Sequence, residues 1–127
     1  MPGGGKRRSL RTMLTDTASD TLARLAEDLG AAAWLLPHDT DLRGYLVMLA
    51  SLPAEPEAWL EVISPWTDAL RRGSGPELTE REELAAAGAV GVSVLRASRD
   101  LPSDAPLAAA FRSVARWCFF LVRADAQ

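Results

Sequence analysis

The sequence has little of what metal-dependent and nucleophilic enzymes use, since it holds one cysteine, Cys118, and one histidine, His38. A single cysteine cannot form an internal disulfide, which is typical of a reducing compartment, so we expect a cytoplasmic location. A catalytic metal site needs about three protein ligands, and one histidine beside Asp39 does not supply them. Asp39 or Thr40 fits better as the N-cap of a helix. We therefore expect no metal and no other cofactor.

Long apolar runs are also absent. The longest nearly apolar stretch covers residues 84–95, well short of the ~20 residues that a membrane helix needs, so we expect no membrane partner. The spacing of Gly3-Gly4-Gly5-Lys6 does not match a phosphate-binding loop, and no serine lies in a G-x-S-x-G motif. Because these catalytic constellations are missing, the sequence predicts a protein that is not an enzyme.

The chain does have the size and composition of one globular domain, with 127 residues of which 48% are hydrophobic and 24% charged. Its apolar residues recur at helical spacings, and no stretch alternates apolar and polar residues as a strand would. In the helical pattern nearest to the C-terminus, Trp117 and Phe120 widen the apolar face. The sequence therefore predicts an all-α fold, a single compact bundle of about five helices over residues 13–127. Residues 1–12 are rich in glycine and basic side chains, and we expect a flexible, disordered tail there.

Turn and capping residues predict where the helices begin and end. Gly30 is expected to end the first helix as its C-cap. Pro65 lies inside the pattern of the third helix, which predicts either a kink or a break with Ser64 capping a further short helix. Thr79 and Glu82 have the spacing of a capping box. The helix that they open is small or apolar nearly all round, so we expect it at the centre of the bundle.

Aromatic and small residues supply the candidates for a protein interface. Trp59 and Trp66 share one face of the third helix, where a groove could open for a partner protein or for a small apolar ligand. At helical spacing, a place in the core is the alternative for both tryptophans. Gly88 and Gly91 would let a neighbouring helix approach closely, either within the bundle or from another subunit.

Basic residues supply the candidates for nucleic-acid binding. The chain has thirteen arginines and a single lysine, which is typical of a high-GC bacterial genome. Some of the arginines lie near predicted helix C-termini, where they complement the helix dipole. The net charge of −3 argues against binding over the whole surface, but a local patch could still contact phosphates. The candidates are a basic start to the chain and a stripe on the last helix, namely Lys6, Arg7, Arg8, Arg112, Arg116 and Arg123.

Three functional hypotheses follow from these patterns. The first is a small assembly or adaptor subunit that acts through protein–protein contacts, with another protein or a second copy of itself as the partner. The second is a subunit that associates with nucleic acid through the basic tail and the arginine stripe. The third is a bundle that binds a small apolar ligand in a pocket lined by tryptophan.

Overall fold

The computed structural model describes residues 10–75, 78 and 80–126, and the side chains of residues 17–75, 78 and 80–124. Over this range the chain forms five helices and no strand, which confirms the predicted all-α bundle. The helices are α1 (Leu10–Ala33), α2 (Asp41–Ala50), α3 (Pro56–Arg71), α4 (Arg81–Asp100) and α5 (Pro106–Ala126). Among them, none is long and apolar enough to cross a membrane.

The start of α1 lies inside the range that was predicted as a tail. Residues 10–12 are helical, because Leu10 continues the apolar spacing that runs along α1. Residues 1–9 lie outside the described part of the chain, and Lys6, Arg7 and Arg8 are among them. The structure therefore does not test the basic tail as a binding element.

The five helices bury one continuous apolar core. α4 packs against α5 on one side and α1 on another, α2 packs on α1, and α3 packs mainly on α5. The remaining side of α4 is exposed and carries Ala85, Ala89 and Val92. The sequence suggested that the other helices enclose α4, and the structure shows that they do not. Full burial of one large aliphatic side chain stabilises the fold by about 1.5–3 kcal/mol. The largest fully buried aliphatic side chains are Leu22, Leu25, Leu29, Leu42, Leu46, Leu49, Ile63, Val90, Val94 and Val114.

Gly30 does not end α1, because the helix continues through three more residues. A Cβ added to Gly30 would stand 3.9 Å from the Cβ of Ala50, so the glycine lies against α2. Ala32 and Ala33 are buried in the core. Alanine has the highest helix propensity, and this burial adds to it, so the helix extends past the glycine.

α3 is continuous through Pro65, so the predicted break with Ser64 as a cap is wrong. Pro65 is exposed, whereas its neighbours Trp66 and Thr67 are buried. Proline removes the hydrogen bond to the carbonyl of Glu61, and Glu61 is also exposed, where water can replace the lost donor. The buried face of α3 therefore keeps its packing across the proline.

The capping box of α4 is shifted by one residue from the prediction. The helix has Glu80 as its N-cap, and the backbone N–H of Glu80 donates a 3.1 Å hydrogen bond to the carboxylate of Glu83. The usual capping box begins with serine or threonine, whereas the N-cap here is a glutamate. The sequence pattern was therefore assigned to Thr79 and Glu82. Thr79 itself lies outside the described residues.

Candidate functional site

The two tryptophans predicted to face a partner are in the core. Trp59 is 0% exposed and Trp66 is 2% exposed. The indole N–H of Trp59 donates to the carbonyl of Pro53 at 2.9 Å, and its ring meets Phe111 edge-on. The face that the two tryptophans share with Ile63 turns inward, because it is the most apolar side of an amphipathic helix. Trp59 and Trp66 therefore present no surface to a partner, which corrects the sequence prediction.

The two glycines of α4 serve packing inside the chain. A Cβ on Gly91 would stand 3.0 Å from the Cβ of Cys118 and 3.0 Å from the ring of Phe119, so α5 approaches the α4 backbone directly. A Cβ on Gly88 would stand 3.8 Å from a methyl group of Val122, also on α5. Of the two alternatives for Gly88 and Gly91, the structure shows the close approach of a helix within the bundle. An interface of these glycines with another subunit stays a prediction.

Cys118 lies on the buried side of α5. Burial raises the pKa of the Cys118 thiol to about 12, because the low-dielectric interior disfavours the thiolate. The thiolate is the nucleophilic form of cysteine, so this residue packs as a small apolar side chain at neutral pH. Over the described residues, no group of three or more His, Cys, Asp and Glu side chains could hold a metal ion.

The three arginines predicted as a stripe on α5 differ in burial and in hydrogen bonding. Arg112 is half-buried and donates to the carbonyl of Ser103 at 3.3 Å, which ties α5 to the turn before it. Arg116 and Arg123 are exposed. Whether this stripe contacts nucleic acid stays a prediction.

A recess lies between the end of α3 and the middle of α5, and we call it the α3–α5 groove. Its volume is about 720 Å³. Thr67 and Leu70 line it from α3, Leu78 lines it from the loop before α4, and Trp117 and Leu121 line it from α5. This volume and mostly apolar lining are typical of sites that take a ligand or a partner's side chains.

The end of α3 shapes one side of the groove. Gly73 has φ +74°, and Ser74 donates its backbone N–H to the carbonyl of Ala69 at 2.8 Å, which is a Schellman C-cap. This cap directs the chain back over Leu70. A Cβ on Gly75 would stand 2.5 Å from Cδ2 of Leu70 and 3.2 Å from the indole nitrogen of Trp117, so a larger residue at this position would require the Leu70 side chain to move.

The rim of the groove carries an exposed aromatic ring and two arginines. Phe120 is 68% exposed at the edge. Arg71 lies 3.2 Å from Asp68 in an exposed ion pair, whereas Arg116 has neither a hydrogen bond nor an ion pair to any described residue. Such a rim combines apolar surface with cationic hydrogen-bond donors.

Sequence reasoning missed this groove, although one signal pointed to it. The apolar face of α5 is wider than the core can cover, because Phe111, Val114 and Cys118 fill the core while Phe120 remains outside. Trp117 lies between the two sets, half-buried, as a wall of the groove. Of the described residues that the sequence proposed as sites, Arg116 alone lines the groove.

The described helices therefore bring together one candidate binding site, and its chemistry is apolar with a cationic rim. Comparison with known proteins finds no matching family model, no matching curated protein and no matching solved structure.

Proposed function

We propose that this chain is a non-enzymatic binding subunit that docks an apolar helical segment of a partner protein in the α3–α5 groove. The observation that carries the proposal is the groove itself, with its apolar lining and with Phe120 68% exposed at its edge. Exposed apolar surface beside a recess is typical of protein–protein contact sites. Aromatic residues at such places supply much of the binding energy in known interfaces.

The length of the groove fits two turns of a partner helix. On α5 its lining runs from Ser113 to Leu121. At about 1.5 Å per residue this is about 12 Å along the helix axis. A partner helix with apolar anchors at positions i, i+4 and i+7 covers about 10.5 Å by the same rise. The groove can therefore take three such anchors in a row.

The volume of about 720 Å³ also suits the third sequence hypothesis, a small apolar ligand. The two occupants differ in what lies outside the groove. A small ligand needs no exposed ring at the rim, whereas a partner helix covers Phe120 as it docks. For this reason, we favour a protein partner over a small ligand. We also keep the predicted cytoplasmic location, because the chain's one cysteine is free and buried.

A display selection with a matched pair of variants tests the proposal. A library of short helical peptides is selected on the immobilised protein, and the enriched peptides are then measured against Ser113→Phe and Ser51→Phe. Ser113 lines the groove, and Ser51 is exposed at the C-cap of α2, outside the groove. Both hydroxyls donate to the carbonyl four residues earlier, at 3.1 Å and 2.8 Å, so both variants lose the same bond.

The added ring of Ser113→Phe fills the groove, and we expect it to weaken peptide binding at least tenfold while Ser51→Phe binds like the unchanged chain. The enriched peptides are expected to carry apolar residues spaced i, i+4, i+7. Peptides that bind equally well to both variants would overturn the proposal. So would a selection that enriches nothing while a neutral apolar dye still binds in a Ser113→Phe-sensitive way, which is the result for a small-ligand site.

A further inference from the structure

Two polar groups of the α3–α5 groove have hydrogen-bond donors without a partner among the described residues. The hydroxyls of Thr67 and Ser113 already donate inside their own helices, to Ser64 at 2.9 Å and to Ala109 at 3.1 Å. The indole N–H of Trp117 and the guanidinium of Arg116 have no hydrogen-bond partner among the described residues. These two donors follow one another in sequence, and both line the groove.

The two arginines of the lining differ in how their charge is used. Arg71 shares its charge with Asp68 at 3.2 Å, on the same helix. Arg116, on α5, has no carboxylate partner within the described chain. Among the described residues, its charge is therefore unpaired.

The charge of the described lining of the groove is opposite to that of the chain. The whole sequence has a net charge of −3, yet the described lining residues include two arginines and neither Asp nor Glu. A local potential of this sign attracts anionic groups and repels cationic ones, and it raises the rate of association with an acidic partner.

We infer that the docking segment of the partner is an acidic amphipathic helix, with a carboxylate beside its apolar anchors that pairs with Arg116. The inference rests on the function proposed above and specifies the chemistry of the partner. Apolar anchors fill the groove between Leu70, Trp117 and Leu121, and the carboxylate accepts from the guanidinium at the rim. Arginine suits this role because its planar fork can donate two parallel hydrogen bonds to one carboxylate.

Three peptides that differ only in charge test the inference. They keep the apolar positions of a groove-dependent peptide from the selection and carry Glu, Gln or Lys at the flanking positions. Their affinities are measured for the unchanged chain, for Arg116→Gln and for the control Arg99→Gln, at low and at high salt. Arg99 is also exposed, and it is not among the residues that line the groove.

We expect the Glu peptide to bind the unchanged chain about three- to fivefold more tightly than the Gln peptide, which is the range of a well-placed surface ion pair. The Lys peptide should bind more weakly than both. Arg116→Gln should remove the preference for Glu, Arg99→Gln should keep it, and high salt should reduce it.

Two results would overturn the inference and leave the proposed function standing: equal binding of the Glu and Gln peptides to the unchanged chain, or an unchanged preference in Arg116→Gln. A single-stranded oligonucleotide serves as the competing anion. If it binds through Arg116 and is unaffected by Ser113→Phe, the arginine contacts nucleic acid rather than an acidic helix, and the inference is wrong. If no peptide binds through the groove, the proposed function fails and the inference fails with it.

Discussion

The rings of Trp66 and Trp117 meet edge to face, with centroids 5.9 Å apart and planes at 77°. Trp66 is fixed from its other side by Tyr45, whose ring stacks on it at 4.9 Å with an interplanar angle of 5°. Edge-to-face and offset stacked pairs each stabilise by about 0.5–1.5 kcal/mol beyond their burial. A chain of rings thus holds the groove wall at Trp117 against the core, so the groove is formed before any partner arrives, which lowers the entropic cost of binding.

Replacing each of the two buried tryptophans of α3 by phenylalanine should lower the free energy of unfolding by different amounts. Trp59→Phe removes a hydrogen bond of 2.9 Å to Pro53, whereas Trp66→Phe removes a buried N–H that has no partner among the described residues. A satisfied bond contributes about 1 kcal/mol, and an unsatisfied buried donor opposes folding by about 1–3 kcal/mol. We expect Trp59→Phe to lower the free energy of unfolding by about 2 kcal/mol more than Trp66→Phe in urea titrations. Equal losses would contradict this account of the two indoles.

Replacing the two glycines of α4 by alanine should change the free energy of unfolding in opposite directions. Alanine at Gly88 meets Val122 at 3.8 Å, an ordinary contact, so the gain in helix propensity should raise the free energy of unfolding by about 0.5–1 kcal/mol. Alanine at Gly91 meets the Cβ of Cys118 at 3.0 Å, and overpacking of this kind destabilises by about 1–3 kcal/mol. We expect Gly91→Ala to be less stable than the unchanged chain. A stabilising Gly91→Ala would show that α4 and α5 are not in close contact there.

Pro65 should weaken α3 without shaping the core. Because Pro65 is exposed and inside the helix, Pro65→Ala restores a backbone donor toward Glu61. Proline in a helix interior is about 3 kcal/mol less favourable than alanine, and its stiffening of the unfolded chain offsets part of that. We expect Pro65→Ala to raise the free energy of unfolding by about 2 kcal/mol. The control Pro56→Ala, at a first-turn position where proline is favoured, should change it by less than about 0.5 kcal/mol.

The buried thiol predicts a loss of stability in alkali. Burial raises the pKa of Cys118 from 9.0 to about 12, so folding favours the neutral thiol. The stabilisation is complete below pH 9.0 and is lost as the pH rises toward about 12, because the unfolded chain ionises first. Over that window the free energy of unfolding should fall by about 1.4 kcal/mol per pH unit more steeply than in Cys118→Ala. Parallel pH profiles for the two proteins would refute the burial of this thiol.

The sequence predicted the helices well and the surface poorly, for a physical reason. Helical spacing reports which side of a segment is apolar, so the inward face of α3 with Trp59, Ile63 and Trp66 was visible in the sequence. Spacing alone does not report whether an apolar face meets the same chain or another. That both tryptophans and both glycines contact the same chain followed only from the packing of the helices.

The sequence does not predict the α3–α5 groove, for a related reason. It depends on how the chain turns at Gly73 and on how closely Gly75 approaches Leu70 and Trp117, both of which are properties of the tertiary fold. Arg116 was singled out for its charge, but its position beside Trp117 on the groove rim followed only from the packing of α5 against α3.

The most direct test of the proposed docking site is nuclear magnetic resonance of the isotope-labelled chain during titration with a groove-dependent peptide. The account predicts that the largest shift changes fall on the end of α3 around Leu70 and on α5 from Ser113 to Leu121. The indole N–H signal of Trp117 should move with them, since it lines the groove. Changes confined to the exposed apolar residues of α2, Val47 and Met48, with the Trp117 signal unmoved, would contradict the account.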